Sequence, residues 1–392
     1  MHATVSAAST TSNSGITVRP ARAAADRRRF IRFPWTVYRG MDAWVPPLIS
    51  DFKKKLDTVR NPFYEHAEIE LFLARRNGAP AGTVAAIIDH HYNSFHDERT
   101  GFFGFFEALN DDAVAGALID AAAEWVAARG MERLRGPVNP STAESMGILL
   151  DAYDRPPAIM MAYNPPYYPR LLESAGLSKA KDMVALYMAE EETPVPPKVA
   201  RVAELVRRRH NVTIRSADLK RIDREMALVK LIYNDAWTKN WGFVPFTDAE
   251  IDYAAADLKM VLDPDLAFFA FVDGEPAGFS LAVPDFNQVL RRMNGRLFPA
   301  GVFKVLWYRR RIDLLRVVLA GVRHRYRNLG LDALFYYETY TRGTAKGFNQ
   351  GEFSWVLEDN VAMRTTLEKM GARVYKRYRM YDRELRTHAG RT

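Results

Sequence analysis

The sequence predicts a mixed α/β fold made of two tandem domains of similar design. Apolar strand-like runs alternate with helical patterns along the chain, which favours sheets with helices packed on them. The strand–turn–strand pattern around Gly78 and Gly82 recurs around Gly274 and Gly278, at an offset of 274 − 78 = 196 residues. A chain of 392 residues that is 48% hydrophobic is long enough for two such cores.

Two further pairs of segments support the repeat. The sequence ITVRPA at Ile16 matches VTIRSA at Val212, again at an offset of 212 − 16 = 196. The sequence LLESAGL around Gly176 matches LEKMGA around Gly371, at an offset of 371 − 176 = 195. Three anchors at nearly one offset indicate an internal duplication.

The same elements are therefore predicted in the same order in each half. A strand is followed by a helix, over residues 23–38 in the first half and 220–237 in the second. An aromatic-rich connection (DAWVPPL and NWGFVPF) leads to a hairpin with a Gly-x-Pro-Ala-Gly turn. A strand, a helix, a strand, a helix and a final strand complete each half.

The ends of the repeat give the domain bounds. Residues 1–14 are rich in Ser, Thr and Ala and have no apolar segment of signal-peptide length, so a disordered tail is predicted. The first domain is predicted over 15–190 and the second over 199–386, with a proline-rich linker at 191–198. No run approaches 18 uncharged apolar residues, so the protein is predicted to be soluble or peripheral to a membrane.

The amino-acid composition indicates which ligands the protein could bind and excludes some kinds of active site. Lys and Arg number 55 and Asp and Glu 47, giving a net charge of +8 that suits an anionic ligand or membrane and is too dilute to indicate nucleic acid. The absence of cysteine excludes disulfides, thiolate metal sites and cysteine nucleophiles. His90, His91 and His96 lie close together, but no second ligand pattern accompanies them, so no metal site is predicted.

An arginine-rich loop follows the apolar run RVVLAGV and precedes a predicted helix. A diphosphate needs backbone N–H groups at a helix N-terminus and a glycine that allows close approach, here Gly330. Arg323, Arg325 and Arg327 would add charged donors, whereas Asp332 in the first helical turn would oppose a bound phosphate. The alternative is an arginine-rich turn that caps an ordinary helix.

The element order and this loop resemble the GNAT acyltransferases, whose loop reads Arg/Gln-x-x-Gly-x-Gly/Ala. The ending WVLEDN…LEKMGARVY also resembles that family. The tyrosine that often serves as general acid in the family is missing here, because its position is occupied by Leu367. The resemblance implies that acyl-coenzyme A binds the second half. The implied contacts are Leu319, Gly321, Val322, Arg323, Arg325, Arg327, Asn328, Leu329, Gly330, Leu331 and Asn360.

The first half lacks the features of this loop. Aligned on Gly130 and Gly347, an offset of 217, the segment ALNDDAVAGAL places Asn110 opposite Arg327 and Ala113 opposite Gly330. Two aspartates and no arginine make a poor diphosphate site. The first half is therefore predicted to have lost cofactor binding and to serve as scaffold and acceptor wall.

The changes in offset locate an insertion in each half. One falls in the region 136–161 and the other includes 295–311, where apolar and aromatic residues precede three arginines. That second pattern is typical of a helix at a lipid headgroup boundary, or of a buried helix that closes the core. Predicted substrate contacts lie in these insertions, in the second aromatic-rich connection and at the end of the helix before it: Asn139, Ser141, Trp237, Asn240, Trp241, Phe243, Phe298, Phe303 and Trp307.

Over nearly its whole length the chain resembles one group of tandem GNAT-like proteins, the bacterial ceramide synthases, in stretches such as NPFYEHAE, GFFGFFE, GPVNPST and NGRLFP. The resemblance implies transfer of a fatty acyl group from coenzyme A to the amine of a long-chain sphingoid base. The expected partners are long-chain acyl-CoA, a long-chain lipid amine and the cytoplasmic face of the inner membrane.

Such a transfer needs a neutral amine, and hence a group that accepts the proton of the ammonium ion. Candidate bases are Glu358, on the strand EFSWVLEDN, and Glu107, at the end of GFFGFFE. Strand alternation places Glu352 and Ser354 on the same face as Glu358. N–H groups of the strand at 319–322 would stabilise the oxyanion.

Two other functions remain open from the sequence. One is an aminoacyl-tRNA-dependent transferase of the tandem GNAT type, which would need a larger basic face and no coenzyme A loop. The other is a non-catalytic, membrane-associated protein on a degenerate GNAT scaffold, which the missing tyrosine and Asp332 would suit.

Overall fold

The computed structural model describes residues 15–191, 194–258, 262–297 and 301–385; the predicted tail and Phe298 lie outside them. The strands are β1 (Ile16–Pro20), β2 (Ala67–Arg76), β3 (Ala79–Asp89), β4 (Thr100–Ala108), β5 (Arg133–Gly136), β6 (Ile148–Leu149), β7 (Ser178–Ala189), β8 (Val212–Ser216), β9 (Ala267–Val272), β10 (Glu275–Pro284), β11 (Leu314–Val322), β12 (Gln350–Leu357) and β13 (Arg373–Glu384). The α-helices are α1 (Ala24–Arg32), α2 (Pro34–Val37), α3 (Ile49–Lys55), α4 (His90–His96), α5 (Asp112–Ala127), α6 (Tyr168–Ser174), α7 (Pro197–Arg209), α8 (Ile222–Trp237), α9 (Asp248–Leu258), α10 (Asn287–Leu290), α11 (Gly301–Tyr308), α12 (Leu331–Ala345) and α13 (Val361–Lys369).

All the described strands belong to one mixed sheet, which confirms the predicted fold class. Its order is β1-β2-β3-β4-β5-β13-β7-β12-β11-β10-β9-β8, with β6 paired to β13 beside this path. The halves exchange their last strands: β13 pairs with β5 of the first half, and β7 pairs with β12 of the second. The division into 15–190 and 199–386 follows the chain, whereas the sheet is continuous across it.

The duplicated hairpins have the same geometry. The β2–β3 turn contains Gly78 at φ +83°, and the β9–β10 turn contains Gly274 at φ +82°. These left-handed values explain why glycine stands at both positions. In each half one long helix, α5 or α12, packs on the hairpin and the strand that follows.

Helical spacing explains how these long helices bury their inner faces. On α5, Val114, Leu118 and Ala122 recur every four residues and are fully buried against the first half of the sheet. On α12, Leu334 and Phe335 are fully buried in the second half.

Two predicted boundaries differ in the structure. The helix predicted over 23–38 is divided into α1 and α2 at Phe33, because Pro34 cannot continue the backbone hydrogen bonding of α1. Helix α7 begins at Pro197, so the last two residues of the predicted linker are helical. Proline is well suited to the first turn of a helix, where its missing N–H has no partner to lose.

Each half contains one pair of parallel strands that diverge. Strands β4 and β5 pair only over 100–102 and 133–135. Strands β11 and β12 pair only over 314–317 and 350–353. A bulge at Val318 shifts the register between β11 and β10 where the second divergence begins. The candidate sites lie at these two clefts.

Candidate active site

The start of α12 has the form of an anion cradle. Its N-cap is Gly330, whose φ of +82° is left-handed, and Asn328 before it has φ +69°. Glycine offers no side chain to cap the helix, and the first-turn N–H groups of any helix lack partners within it. The loop follows directly after the diverged end of β11. A strand, a glycine-containing loop and a helix N-terminus in this order are typical of anion-binding sites.

The arginines of this loop already have protein partners. Arg323 donates to Asp235 (3.0 Å) and to the carbonyl of Pro276 (3.0 Å), and Arg327 donates to the carbonyl of Ala236 (2.7 Å). Asp235 also accepts the backbone N–H of His324 (2.8 Å), so one carboxylate shapes the start of the loop. Arg325 is half exposed and pairs with an exposed glutamate. Their contacts with a phosphate stay a prediction.

The diverged part of β11 is covered by Trp237. Its ring lies so close to Gly321 that a Cβ added there would be 2.1 Å away. The ring also packs on Tyr233 and Phe279. Asn360, the other predicted cofactor contact, instead caps α13 by accepting the N–H of Met363 at 3.2 Å.

The corresponding places in the first half are filled by the protein itself. Asp111 caps α5 by accepting the N–H groups of Ala113 (3.1 Å) and Val114 (3.2 Å). Within the cleft, Asn139 accepts the N–H of Phe105 at 2.6 Å, so this predicted substrate contact is an internal one. Both features support the prediction that the first half does not bind the cofactor.

A buried polar network lies where β11 and β12 diverge. Arg316 and Glu352 are register partners and are 2% and 0% exposed. Arg316 donates to the hydroxyl of Ser354 (2.9 Å), which donates to Glu352 (2.6 Å). The hydroxyl of Tyr375 donates to the second oxygen of Glu352. Burial of charged groups is costly unless they are paired, so such a network is a strong candidate for function.

Two more ionisable groups adjoin this network. Burial, reinforced by the charge of Glu352, raises the pKa of Asp285 to about 7 although two backbone N–H groups donate to it. Lys376 is fully buried and donates to the carbonyl of Pro156 at 2.6 Å. Burial lowers the pKa of Lys376, against the opposing charges of Glu352 and Asp285.

A cavity of about 470 Å³ reaches this network from the surface. Its lining includes Asp285, which is buried, the half-buried Tyr375, and Tyr308 at the end of α11; the exposed residues of the lining form its mouth. Beside that mouth, α11 exposes Phe303 by 74% and Trp307 by 66%. The structure therefore places these two predicted substrate contacts on a surface helix and not in a core.

The predicted bases lie elsewhere. Glu358 is 36% exposed, pairs with Lys179 (2.6 Å) and accepts the N–H of Asp182 (3.0 Å). Burial acts to raise the pKa of Glu358, but these partners outweigh it and lower that pKa. Glu107 accepts from Tyr168 (2.5 Å) and Tyr38 (3.2 Å) in the first half, and burial raises its pKa to about 8.

Among the described residues, no hydrogen bond or ion pair links Glu107 to Glu358. Their roles as base stay predictions, and the structure does not bring them together as one pair.

The second aromatic-rich connection crosses between the halves. Trp241 lies 5.2 Å from the guanidinium of Arg135, and Phe243 is buried against Tyr233. Thr142 of the first insertion donates to the carbonyl of Gly242 at 2.8 Å. The predicted contacts Ser141, Asn240, Trp241 and Phe243 thus lie in or beside this seam between the halves, apart from Phe303 and Trp307 on α11.

Sequence reasoning missed most of the buried network. The signal was a charged residue inside an apolar strand pattern, as in Arg316 within LLRVVLAG and Lys376 within RVYKRYRMY. Charges in strands are usually exposed, so this signal alone does not distinguish a network from a solvated face.

Within the described ranges, no cluster of three or more His, Asp or Glu side chains could hold a metal ion. No helix in the same ranges is long and apolar enough to span a membrane.

The fold is that of the tandem GNAT proteins. A solved tandem GNAT protein from the clavulanic acid biosynthesis pathway matches with a TM-score of 0.56 at 12% identity, over 95% of this chain and 99% of that one. A GCN5-related N-acetyltransferase from Sphaerobacter thermophilus matches with a TM-score of 0.53 at 14% identity, over 96% and 98%. No family model matches the chain.

Sequence comparison carries the identification further. The bacterial ceramide synthase of Caulobacter vibrioides (strain NA1000 / CB15N) is 35% identical over 386 residues, which is 95% of this chain and 98% of that protein. Protein YghO of Escherichia coli (strain K12) is 32% identical over 366 residues, 92% and 93% of the two chains. The chain belongs to the family of the bacterial ceramide synthase, and it is an N-acyltransferase.

Proposed function

We propose that this chain transfers a long-chain fatty acyl group from coenzyme A to the amine of a long-chain sphingoid base, at the cytoplasmic face of the inner membrane. The observation that carries the proposal is the cavity that extends from the buried network to Tyr308 of α11, the helix that exposes Phe303 and Trp307. An acceptor with an apolar tail and an amine head fits such a path. The 35% identity to a protein named ceramide synthase supports the same acceptor class.

Coenzyme A would be held by the second half. Its diphosphate would lie on the backbone amides at Gly330 and Leu331, and its thioester would lie between the diverging strands. The N–H groups of 319–322, beyond the bulge at Val318, would stabilise the oxyanion as the amine attacks. The C–N bond forms as the C–S bond breaks, so the chain itself forms no covalent intermediate.

The amine must lose a proton before it attacks, because a primary ammonium has a pKa of about 10. We assign this proton to Glu352, which lies beside the strand divergence and reaches the cavity through the hydroxyl of Tyr375. Glu358 and Glu107 remain the other candidates for the base, and substitution of each carboxylate by glutamine tests all three. The proton released by the amine balances the proton taken up by the coenzyme A thiolate.

Contact with the bilayer is assigned to α11. Phe303 and Trp307 are its most exposed apolar side chains, and Arg309–Arg311 follow immediately. A Phe303→Ser/Trp307→Ser variant should partition less onto anionic vesicles while keeping its thermal stability. The matched control is Val59→Ser/Leu231→Ser, which removes exposed apolar side chains from other elements. A variant that fails to fold would indicate that α11 closes the core instead.

A direct assay tests the acyl transfer. The purified chain should release coenzyme A thiol from palmitoyl-CoA and form the N-acyl product with sphinganine, both followed by mass spectrometry. Palmitoyl-CoA should also raise the melting temperature, since a ligand of the folded state stabilises it.

The same assay separates the alternatives. If aminoacyl-tRNA, in place of palmitoyl-CoA, raised the melting temperature of the chain and served as the donor in the transfer, the tRNA-dependent function would be established. Vesicle binding with no thiol release from any acyl-CoA would establish a non-catalytic protein. Either result would overturn the proposal.

A further inference from the structure

Four arginines surround the mouth of the 470 Å³ cavity beside α11. Arg155, Arg291, Arg292 and Arg311 line it, and all four residues are exposed. Within the described ranges none of them forms an ion pair with a carboxylate. Instead Arg292 lies 4.2 Å from the ring of Tyr308, and Arg311 lies 5.6 Å from the same ring.

Arginines on the strands of the sheet are satisfied differently. Arg133, Arg135 and Arg379, for example, each pair with one or more carboxylates. Guanidinium groups gathered around one opening repel one another, and a bound anion would remove that repulsion. Their planar forks also match a phosphate group, which accepts two hydrogen bonds from one arginine.

We propose that the mouth of this cavity binds the phosphate group of an anionic membrane lipid and so holds α11 in the headgroup layer. The proposed site has two parts: the exposed arginines, which attract the phosphate, and the exposed apolar face of α11 beside them. A phosphate at the mouth lies at the depth where Phe303 and Trp307 would enter the acyl region. The inference rests on the membrane contact in the proposed function and adds a specific ligand to it.

The phosphates of coenzyme A are not the ligand of this mouth. The cavity lies at the start of β11, where Leu314 lines it, whereas the diphosphate loop follows Val322 at the other end. Eight steps along a strand span about 26 Å. The two anion sites therefore lie at opposite ends of the same strand.

Charge changes sign along the cavity. The lining also contains Asp285, which is buried, and Asp313, which is half-buried and accepts hydrogen bonds from Gln288 (2.7 Å) and Gln350 (3.0 Å). These carboxylates would repel a phosphate, which confines it to the mouth. The same carboxylates would favour an ammonium group, so the headgroup site and the acceptor site do not compete.

Vesicle co-sedimentation of the full chain tests this site. The vesicles contain phosphatidylcholine alone, or phosphatidylcholine with phosphatidylglycerol. The chain should bind the second kind more tightly, and Arg291→Ser/Arg292→Ser should weaken that binding about tenfold or more, since each arginine near an anionic surface contributes about 1 kcal/mol. Arg155→Ser/Arg311→Ser should behave alike.

The matched control is Arg201→Ser/Arg224→Ser, which removes the same charge from exposed arginines away from the cavity. Its binding should change by less than about twofold if the site is local, because distant charges are screened. An equal loss in the control and the cavity variants would overturn the proposal, since it would show diffuse attraction. Unchanged melting temperatures confirm that each variant is folded.

The source of the phosphate is tested by competition. Inorganic phosphate and water-soluble glycerophosphoglycerol are added to the vesicle assay at matched ionic strength. Either compound could displace the chain completely from the vesicles at low concentration, through the same arginines. That result would show a site for a soluble phosphate and would overturn the lipid assignment. Thiol release from palmitoyl-CoA in detergent micelles is measured separately, so this inference can fail while the proposed function stands.

Discussion

The two halves share one order of elements but begin their long helices differently. Helix α5 of the first half is capped by the carboxylate of Asp111, whereas α12 of the second half begins at Gly330, which has no side chain. The carboxylate occupies the amides that a phosphate would need and brings a negative charge to them. We therefore predict that this difference at the helix start decides which half can hold a diphosphate.

The half without the loop still contributes to the site. Its last strand, β7, pairs with β12, which carries Glu352. Its insertion supplies the carbonyl of Ile159, which accepts from Arg316 at 2.8 Å, and the N–H of Ile159, which donates to Asp285 at 2.8 Å. The first half thus contributes backbone groups to the buried network of the second half.

The largest expected effect comes from blocking the two helix starts. Gly330→Trp should abolish acyl-CoA binding, because a side chain at φ +82° is strained and a Cβ there already lies 3.0 Å from Val206. Ala113→Trp, at the exposed matching position on α5, should leave it intact. Binding is measured by calorimetry with palmitoyl-CoA, and equal loss from both variants would refute the asymmetry.

The second comparison is between the buried carboxylates of the two halves. Glu352→Gln should reduce turnover about 10²- to 10⁴-fold, the usual effect of losing a general base, while acyl-CoA still binds. Glu107→Gln tests the first half, and Glu358→Gln removes an ion-paired carboxylate at the end of the same strand as Glu352. Steady-state rates with sphinganine give the ranking.

If Glu352→Gln keeps normal turnover and either other variant loses it, the base is Glu107 or Glu358, as the sequence predicts. A melting temperature close to that of the parent chain shows that the buried network tolerates the change. If Glu352→Gln does not fold, Tyr375→Phe replaces it as the test, because it removes only the hydroxyl that donates to Glu352.

The sequence was sufficient for the features that are local in the chain. The repeat, the hairpins and the glycine at the start of α12 depend on short segments, and all were predicted correctly. The network of Arg316, Glu352 and Tyr375 was not predicted, because it depends on pairing of β7 with both β12 and β13. Exchange of the last strands between halves leaves no mark in either segment, since the side-chain pattern of one strand does not specify which strand it pairs with.

A smaller effect is expected from exchanging the cap chemistry. Asn328 aligns with Asp111 at the offset of 217, so Asn328→Asp would place a carboxylate beside the first turn of α12. Its charge should weaken acyl-CoA binding about tenfold through repulsion of the diphosphate. Asp111→Asn should have no effect on that binding, and a weakening of similar size would show that the first half takes part in it.

The smallest predicted effect concerns the contact that joins the halves through a histidine. His66 of the first half lies 3.0 Å from Asp89 and 3.3 Å from Glu250 on α9 of the second half. Burial acts to lower the pKa of His66, but hydrogen bonds and charges of both carboxylates outweigh it and raise that pKa to about 10.

Because the folded-state pKa is above the ordinary value of 6.5, protonated His66 stabilises the fold fully below pH 6.5. That contribution, on the order of 1 kcal/mol for a partly screened contact, is lost as the pH rises towards 10. The melting temperature of the parent chain should therefore fall more steeply over this range than that of His66→Gln, by a few degrees. Parallel curves for the two proteins would show that His66 does not hold the halves together through its charge.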